Sequence, residues 1–215
     1  MKSKKHFISS LQHYLFLAIF VCFAISCSKD DDETNTPVPI PMGDVFAFVD
    51  LNHQWIYDVT VSQQGQSKSA VDTFAIIEKM NDTVFMVEEK LNWVTKSGTI
   101  SYWMKNEGRF AECYNPNGDY PLLYLKSDSK VGDMFYYIIA GDTTFTHRIV
   151  SLDKTVTTPL NTYKCAEIEQ LMPGDKNYKR TIYINKTYGL VRFDLTWKPY
   201  GTLMTQVTQL KKVNF

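Results

Sequence analysis

The chain has 215 residues, 23 basic and 23 acidic side chains and four cysteines. A charge balance of zero gives no basic face for nucleic acid, so no nucleic-acid partner is expected. Its longest apolar run is too short for a membrane-spanning helix, which needs about 20 residues.

That run, Tyr14 to Ile25, is twelve residues long and follows a start carrying Lys2, Lys4 and Lys5 with no acid. A basic opening before an apolar stretch of this length is the layout of a secretory signal. The run ends in Ala24-Ile25-Ser26-Cys27, which resembles the bacterial lipobox. The resemblance implies removal of residues 1–26 and acylation of Cys27, which would tie the protein to a membrane. An ordinary signal with a cysteine near its cut is the alternative. Loss of residues 1–26 leaves 20 basic against 23 acidic side chains.

Residues 27–42 read as the lipidated cysteine and a tether. Lys29-Asp30-Asp31-Asp32-Glu33 extends by self-repulsion, and Pro37, Pro39 and Pro41 hold the second half in polyproline II. The acidic run directly after Cys27 also resembles the export signal of Gram-negative lipoproteins displayed outside the cell. It implies a lipid-anchored outer-membrane protein facing the extracellular side; the inner leaflet of that membrane is the alternative.

Residues 43–215 read as one all-β domain. Asp44 to Val49 is too short for more than a turn or two of helix. Period-two alternation then marks Trp55–Val61, Phe74–Lys79, Thr83–Asn92, Ile100–Met104, Arg109–Tyr114 and Tyr120–Leu125. It continues through Met134–Ala140, Thr143–Leu152, Thr162–Leu171, Tyr178–Asn185, Leu190–Lys198 and Thr202–Val213. Short strands joined by brief turns predict a single strongly curved antiparallel meander, or an incomplete half-barrel, with little helix.

Chemistry is sparse. Cys113 and Cys165 are the one pair available for a disulfide in an oxidising compartment, against two buried thiols. His53 reads as a turn residue and His147 as a solvent-facing step of a strand; neither has a partner at metal-ligand spacing, so no metal and no cofactor are expected. Asn115, Asn117 and Asp119 alternate like calcium ligands, but one charge and no downstream acid favour a plain turn. Glu88 and Glu89 point to opposite strand faces, whereas Glu167 and Glu169 share one. With no nucleophile elbow, the domain reads as a binding or structural module and not an enzyme. A hydrolase of surface polymers and a subunit of a surface complex are the alternatives. Tyr120, Tyr124, Tyr136 and Tyr137 are candidate ligand-facing aromatics, for an apolar or glycan ligand or a protein, against the alternative of core packing.

Several segments resemble a family of Gram-negative surface lipoproteins. Phe46 to Tyr57 matches the family's aromatic opening that runs into Trp-x-Tyr. Val131-Gly132-Asp133, Val156 to Cys165 and Tyr188-Gly189-Leu190-Val191-Arg192 follow its later punctuation, with Asn161 where the family has glycine. The domain is in turn similar to periplasmic lipoprotein-carrier half-barrels. This implies a curved antiparallel sheet with an apolar concave face, and it carries over no functional residue.

Cys27→Ala is expected to release the protein from the membrane fraction and abolish palmitate labelling. Protease shaving of intact cells is expected to remove the wild-type domain.

Overall fold

The computed structural model describes residues 45–92, 98–139, 142–198 and 201–215. The signal and tether, residues 1–42, lie outside the described residues.

Among the described residues, twelve strands form one antiparallel sheet, as the alternation predicts. In chain order they are β1 (Gln54–Gln63), β2 (Gln66–Lys79), β3 (Val84–Lys90), β4 (Gly98–Asn106), β5 (Arg109–Cys113) and β6 (Leu122–Lys126). They continue with β7 (Met134–Ile139), β8 (Asp142–Thr157), β9 (Thr162–Leu171), β10 (Lys179–Asn185), β11 (Gly189–Trp197) and β12 (Met204–Asn214). The spatial order is β6-β5-β4-β3-β2-β1-β12-β11-β10-β9-β8-β7. Every neighbour is a sequence neighbour except β1 and β12, which pair from Gln54↔Asn214 to Gln63↔Met204. That pairing brings the two ends of the domain into mid-sheet and curls it into a nearly closed barrel.

Turn chemistry and bulges supply the curvature. Gln64 and Gly65 have φ of 52° and 76°, the left-handed pair that a type I′ hairpin needs. The hairpin therefore closes tightly and β2 starts at Gln66, well before the Phe74 expected from alternation. Register shifts interrupt β8–β9 twice and β1–β12 once. Each such bulge bends its strand and increases its twist.

The seam lies between β6 and β7, which have no ladder in common. Side chains cross it instead. His147 Nδ1 on β8 lies 2.9 Å from the Leu123 carbonyl oxygen of β6. Lys126 sits over the Phe135 ring, 5.4 Å from its centroid, and Leu122 packs with Tyr137 and Phe145.

Residues 45–53 plug one end of the barrel. They run in turns held by Val49 N–H to Phe46 O and Asn52 N–H to Ile76 O, and they drive Phe46, Phe48 and Val49 to full burial. Phe48 meets Phe110 edge-on at 4.9 Å, and Trp55 packs on Trp103 at 5.3 Å. The Trp55 indole donates to Tyr188 O and the Tyr57 hydroxyl to Leu190 O, so the start of β11 is fastened to β1 from inside. Between those two acceptors lies Gly189, at φ +77°. A Cβ there would fall 2.6 Å from the Phe48 ring.

Gly189→Ala is therefore expected to cost about 2–4 kcal/mol, from the left-handed backbone and the overpacking together. Phe48→Ala should cost about 3–5 kcal/mol alone. In urea unfolding the double variant should lose less than the sum, because removing the Phe48 ring frees the space that a methyl group at position 189 needs. Strict additivity would show that the ring and the glycine do not compete.

Candidate functional site

A partly open cavity of about 190 Å³ remains inside the barrel, beyond the plugged end. Its deeper wall is apolar: Phe74, Trp103, Phe110, Ile182, Leu190 and Phe193. A polar belt crosses it, made of Asp72 on β2, Glu89 on β3, Glu112 on β5, Tyr124 on β6, Gln170 on β9 and Arg180 on β10. Leu122, Phe145, Leu195, Trp197 and Met204 line it as well.

Each belt residue is held in place. Ser101 Oγ donates to Glu89 Oε1 at 2.6 Å, and the Tyr124 hydroxyl donates to Glu112 Oε2 at 2.8 Å. The Asn92 amide donates to Asp72 Oδ1 at 2.7 Å, and the Tyr178 hydroxyl to Gln170 Oε1 at 2.9 Å. The Arg180 guanidinium lies over the Phe193 ring, 4.5 Å from its centroid. That contact is a cation–π interaction across β10 and β11.

Burial dominates the electrostatics. Withdrawal from water, reinforced by Glu112, pushes the Glu89 carboxyl up to about 7, despite the Ser101 hydrogen bond and the charge of Arg180. Burial disfavours the Arg180 cation, but Tyr124, Tyr178, Glu112 and Glu89 outweigh it and hold its pKa above the usual value. His147 is fully buried, and burial lowers its pKa to about 4 even though its ring bonds Leu123 O. Among the described residues, its Nε2 has no hydrogen-bond partner. With Nδ1 donating to the carbonyl, Nε2 carries a bare lone pair.

The expectation that His147 faces solvent is corrected: it stands inside, opposite Phe135 on β7 and Gln170 on β9. The polar neighbours Thr146 and Arg148 suggest a wet face, but Phe145-His147-Ile149 is the inward row. His53 is half-buried, with Nδ1 2.8 Å from Phe48 O and its ring stacked on Phe215 at 4.4 Å. Of the four tyrosines, Tyr124 lines the cavity and Tyr137 is buried in the seam cluster, while Tyr120 and Tyr136 are exposed. They do not form one platform. Cys113 and Cys165 are both buried free thiols, and burial pushes each up to about 12.

The acid pairs resolve by face. Glu88 bridges to Lys90 outside while Glu89 turns inward. Glu167 accepts from Tyr183 and pairs with Lys154; Glu169 pairs with Arg148 and with Lys179, the latter at 2.8 Å. In the loop, Asn115 Oδ1 accepts the amides of Asn117 and Asp119, which is turn bonding.

The belt had a legible signal. Asp72-Phe74-Ile76, Phe85-Val87-Glu89, Phe110-Glu112 and Arg180-Ile182-Ile184 each place one charge in an otherwise apolar inward row. Charges in such rows go inside with them, because the period of two fixes the face.

No family model matches the chain, and no curated protein matches it in sequence. Among solved structures it is similar to a candidate exported protein with a YMCC-like fold from Bacteroides fragilis, at TM-score 0.49 and 11% identity. That match covers 77% of this chain and 97% of the other. It is similar too to a candidate lipoprotein from Parabacteroides distasonis, at TM-score 0.45 and 15% identity, covering 77% and 96%.

The raised Glu89 carboxyl fixes a pH dependence. Folding favours its protonated form, so its contribution is complete below about 4.5 and is lost as pH rises through 7. Glu89→Gln, which cannot ionise, should therefore be more stable than wild type by an amount that grows from pH 4.5 to 7 and then levels off, of the order of a few kcal/mol. His147 acts oppositely: folding keeps it neutral, so stability falls as pH drops from 6.5 toward 4. That limb should persist in Glu89→Gln. Urea unfolding of both proteins from pH 4 to 9 checks both limbs.

Proposed function

We propose that the chain is an outer-membrane lipoprotein, anchored through Cys27 and facing outward, whose barrel binds a small molecule without catalysing its conversion. The anchor rests on the basic start, the apolar run and the lipobox resemblance at Cys27; the orientation rests on the acidic run that follows.

The observation that carries the binding reading is the cavity. An apolar pocket with a few convergent polar groups and a perturbed carboxyl is the usual form of a small-molecule site. Size narrows the ligand. An apolar cavity of about 150 Å³ accepts one benzene, so about 190 Å³ suits a ring or short branched chain with a small head. Several long acyl chains, or a strand of a protein, exceed it. Outside this cavity the concave face is filled by its own side chains, Phe48, Trp55 and Tyr57 among them. Glu167 and Glu169, the acid pair that shares a strand face, are both committed to cations outside the cavity and offer no support to the hydrolase alternative.

Toluene, a neutral probe of the right size, should raise the melting temperature of the wild-type domain progressively with its free concentration L, as RT ln(1 + L/Kd) requires. Leu195→Trp, which fills the cavity from β11, should abolish that shift while the fold persists by circular dichroism. Equal response of the two proteins, or none in either, would contradict a lumenal site.

A further inference from the structure

From the placement of Arg180, Glu89 and Glu112 around one cavity, we propose that the lumen takes a small zwitterion with an apolar side chain, of the class of a free apolar α-amino acid. This rests on the lumenal binding reading and names its ligand class.

The first observation is a donor group without an acceptor. Among the described residues, the Arg180 guanidinium donates no hydrogen bond; it stands inside the barrel, with the Phe193 ring on one face and the cavity beside it. A guanidinium has five N–H donors in a planar fork shaped for a carboxylate. The fork opens onto the cavity and, among the described residues, no side chain takes it up, so it is free to receive a carboxylate that enters from outside the chain.

The second observation is a pair of carboxylates with spare acceptor capacity on the opposite wall. Glu89 takes one hydroxyl through Oε1 and Glu112 takes one through Oε2. Neither meets Arg180 within hydrogen-bond distance, and each carboxylate can accept further donors. Ser101 and Tyr124 fix these two side chains, so they do not collapse onto the arginine. The barrel thus holds one cationic and two anionic groups apart across the same space.

Charge then selects the ligand. A simple amine would meet Glu89 and Glu112 but leave the arginine fork unused. A simple carboxylate would satisfy Arg180 but bury a third negative charge beside two others, with Asp72 on the same belt. A zwitterion meets both signs in one molecule, its carboxylate on the arginine fork and its ammonium toward the two glutamates. Its side chain faces Phe74, Trp103, Phe110 and Phe193. The cavity of about 190 Å³ admits a body of leucine's size.

The test uses L-leucine and its two single-charge analogues: 3-methylbutylamine, which lacks the carboxylate, and 4-methylpentanoate, which lacks the amine. Calorimetric titration at pH 8 should show leucine binding at least about tenfold tighter than either analogue, and Leu195→Trp should remove it. Arg180→Lys, which keeps the charge and loses the fork, should bring leucine close to the amine. Glu112→Gln should bring it close to the acid. These analogue comparisons on wild-type protein need no variant to fold. Leucine no tighter than the amine overturns the arginine role, and leucine no tighter than the acid overturns the carboxylate role; either result refutes the proposal. Toluene binding with no leucine binding refutes the zwitterion while leaving the lumenal site standing; failure of both ligands removes the site itself.

Discussion

Everything inside this protein depends on the pairing of its first strand with its last. β1 lies beside β12 over its full length, from Gln54↔Asn214 to Gln63↔Met204. The other ladders join strands adjacent in sequence, at small cost in loop closure. This one joins residues some 150 positions apart, so it carries the largest loop-closure cost of any single ladder. It also determines where the edges fall, because pairing the chain ends moves the open seam to β6 and β7 in the middle of the sequence. With the ends joined, an alternating sheet has an inside.

The inside is defended at each of its weak points by side chains rather than by backbone. Phe46 and Phe48 fill the end where β1 begins, and Gly189 is the residue that lets the Phe48 ring approach β11. His147 and Lys126 cross the seam that no ladder closes. What remains is a small space with a mixed wall. Burying Asp72, Glu89, Glu112 and Arg180 destabilises the fold relative to an apolar core of the same volume, as the displacement of Glu89 to about 7 records. Groups that weaken a fold and converge on a cavity are characteristic of sites shaped by binding.

Much of the architecture was legible because strands obey one rule. Twelve alternating segments correspond to twelve strands, and the Asn115 loop falls where turn residues put it. β2 is longer than alternation indicates, because Gln66-Ser67-Lys68-Ser69 has no apolar period; its strand character comes from the Gln64-Gly65 turn and from β1 opposite. Closure of the sheet was not legible, since the β1–β12 register is set by side chains far apart in sequence. The binding belt was half legible. Glu88 and Glu89 were separated by face, but assigning the inward face needed Phe85 and Val87 as the reference row. His147 misled for the same reason: its polar neighbours were read in place of Phe145 and Ile149, two positions away on either side.

The most direct test of this account is the titration of the Glu89 side-chain carboxyl by carbon-detected NMR, assigned by comparison with Glu89→Gln. A carboxyl lodged in the barrel beside Glu112 and Arg180 is expected to titrate near 7, and to move when leucine fills the space between them. A midpoint near 4.5, unaffected by leucine, would place Glu89 in water and contradict the polar lumen on which the proposed function rests.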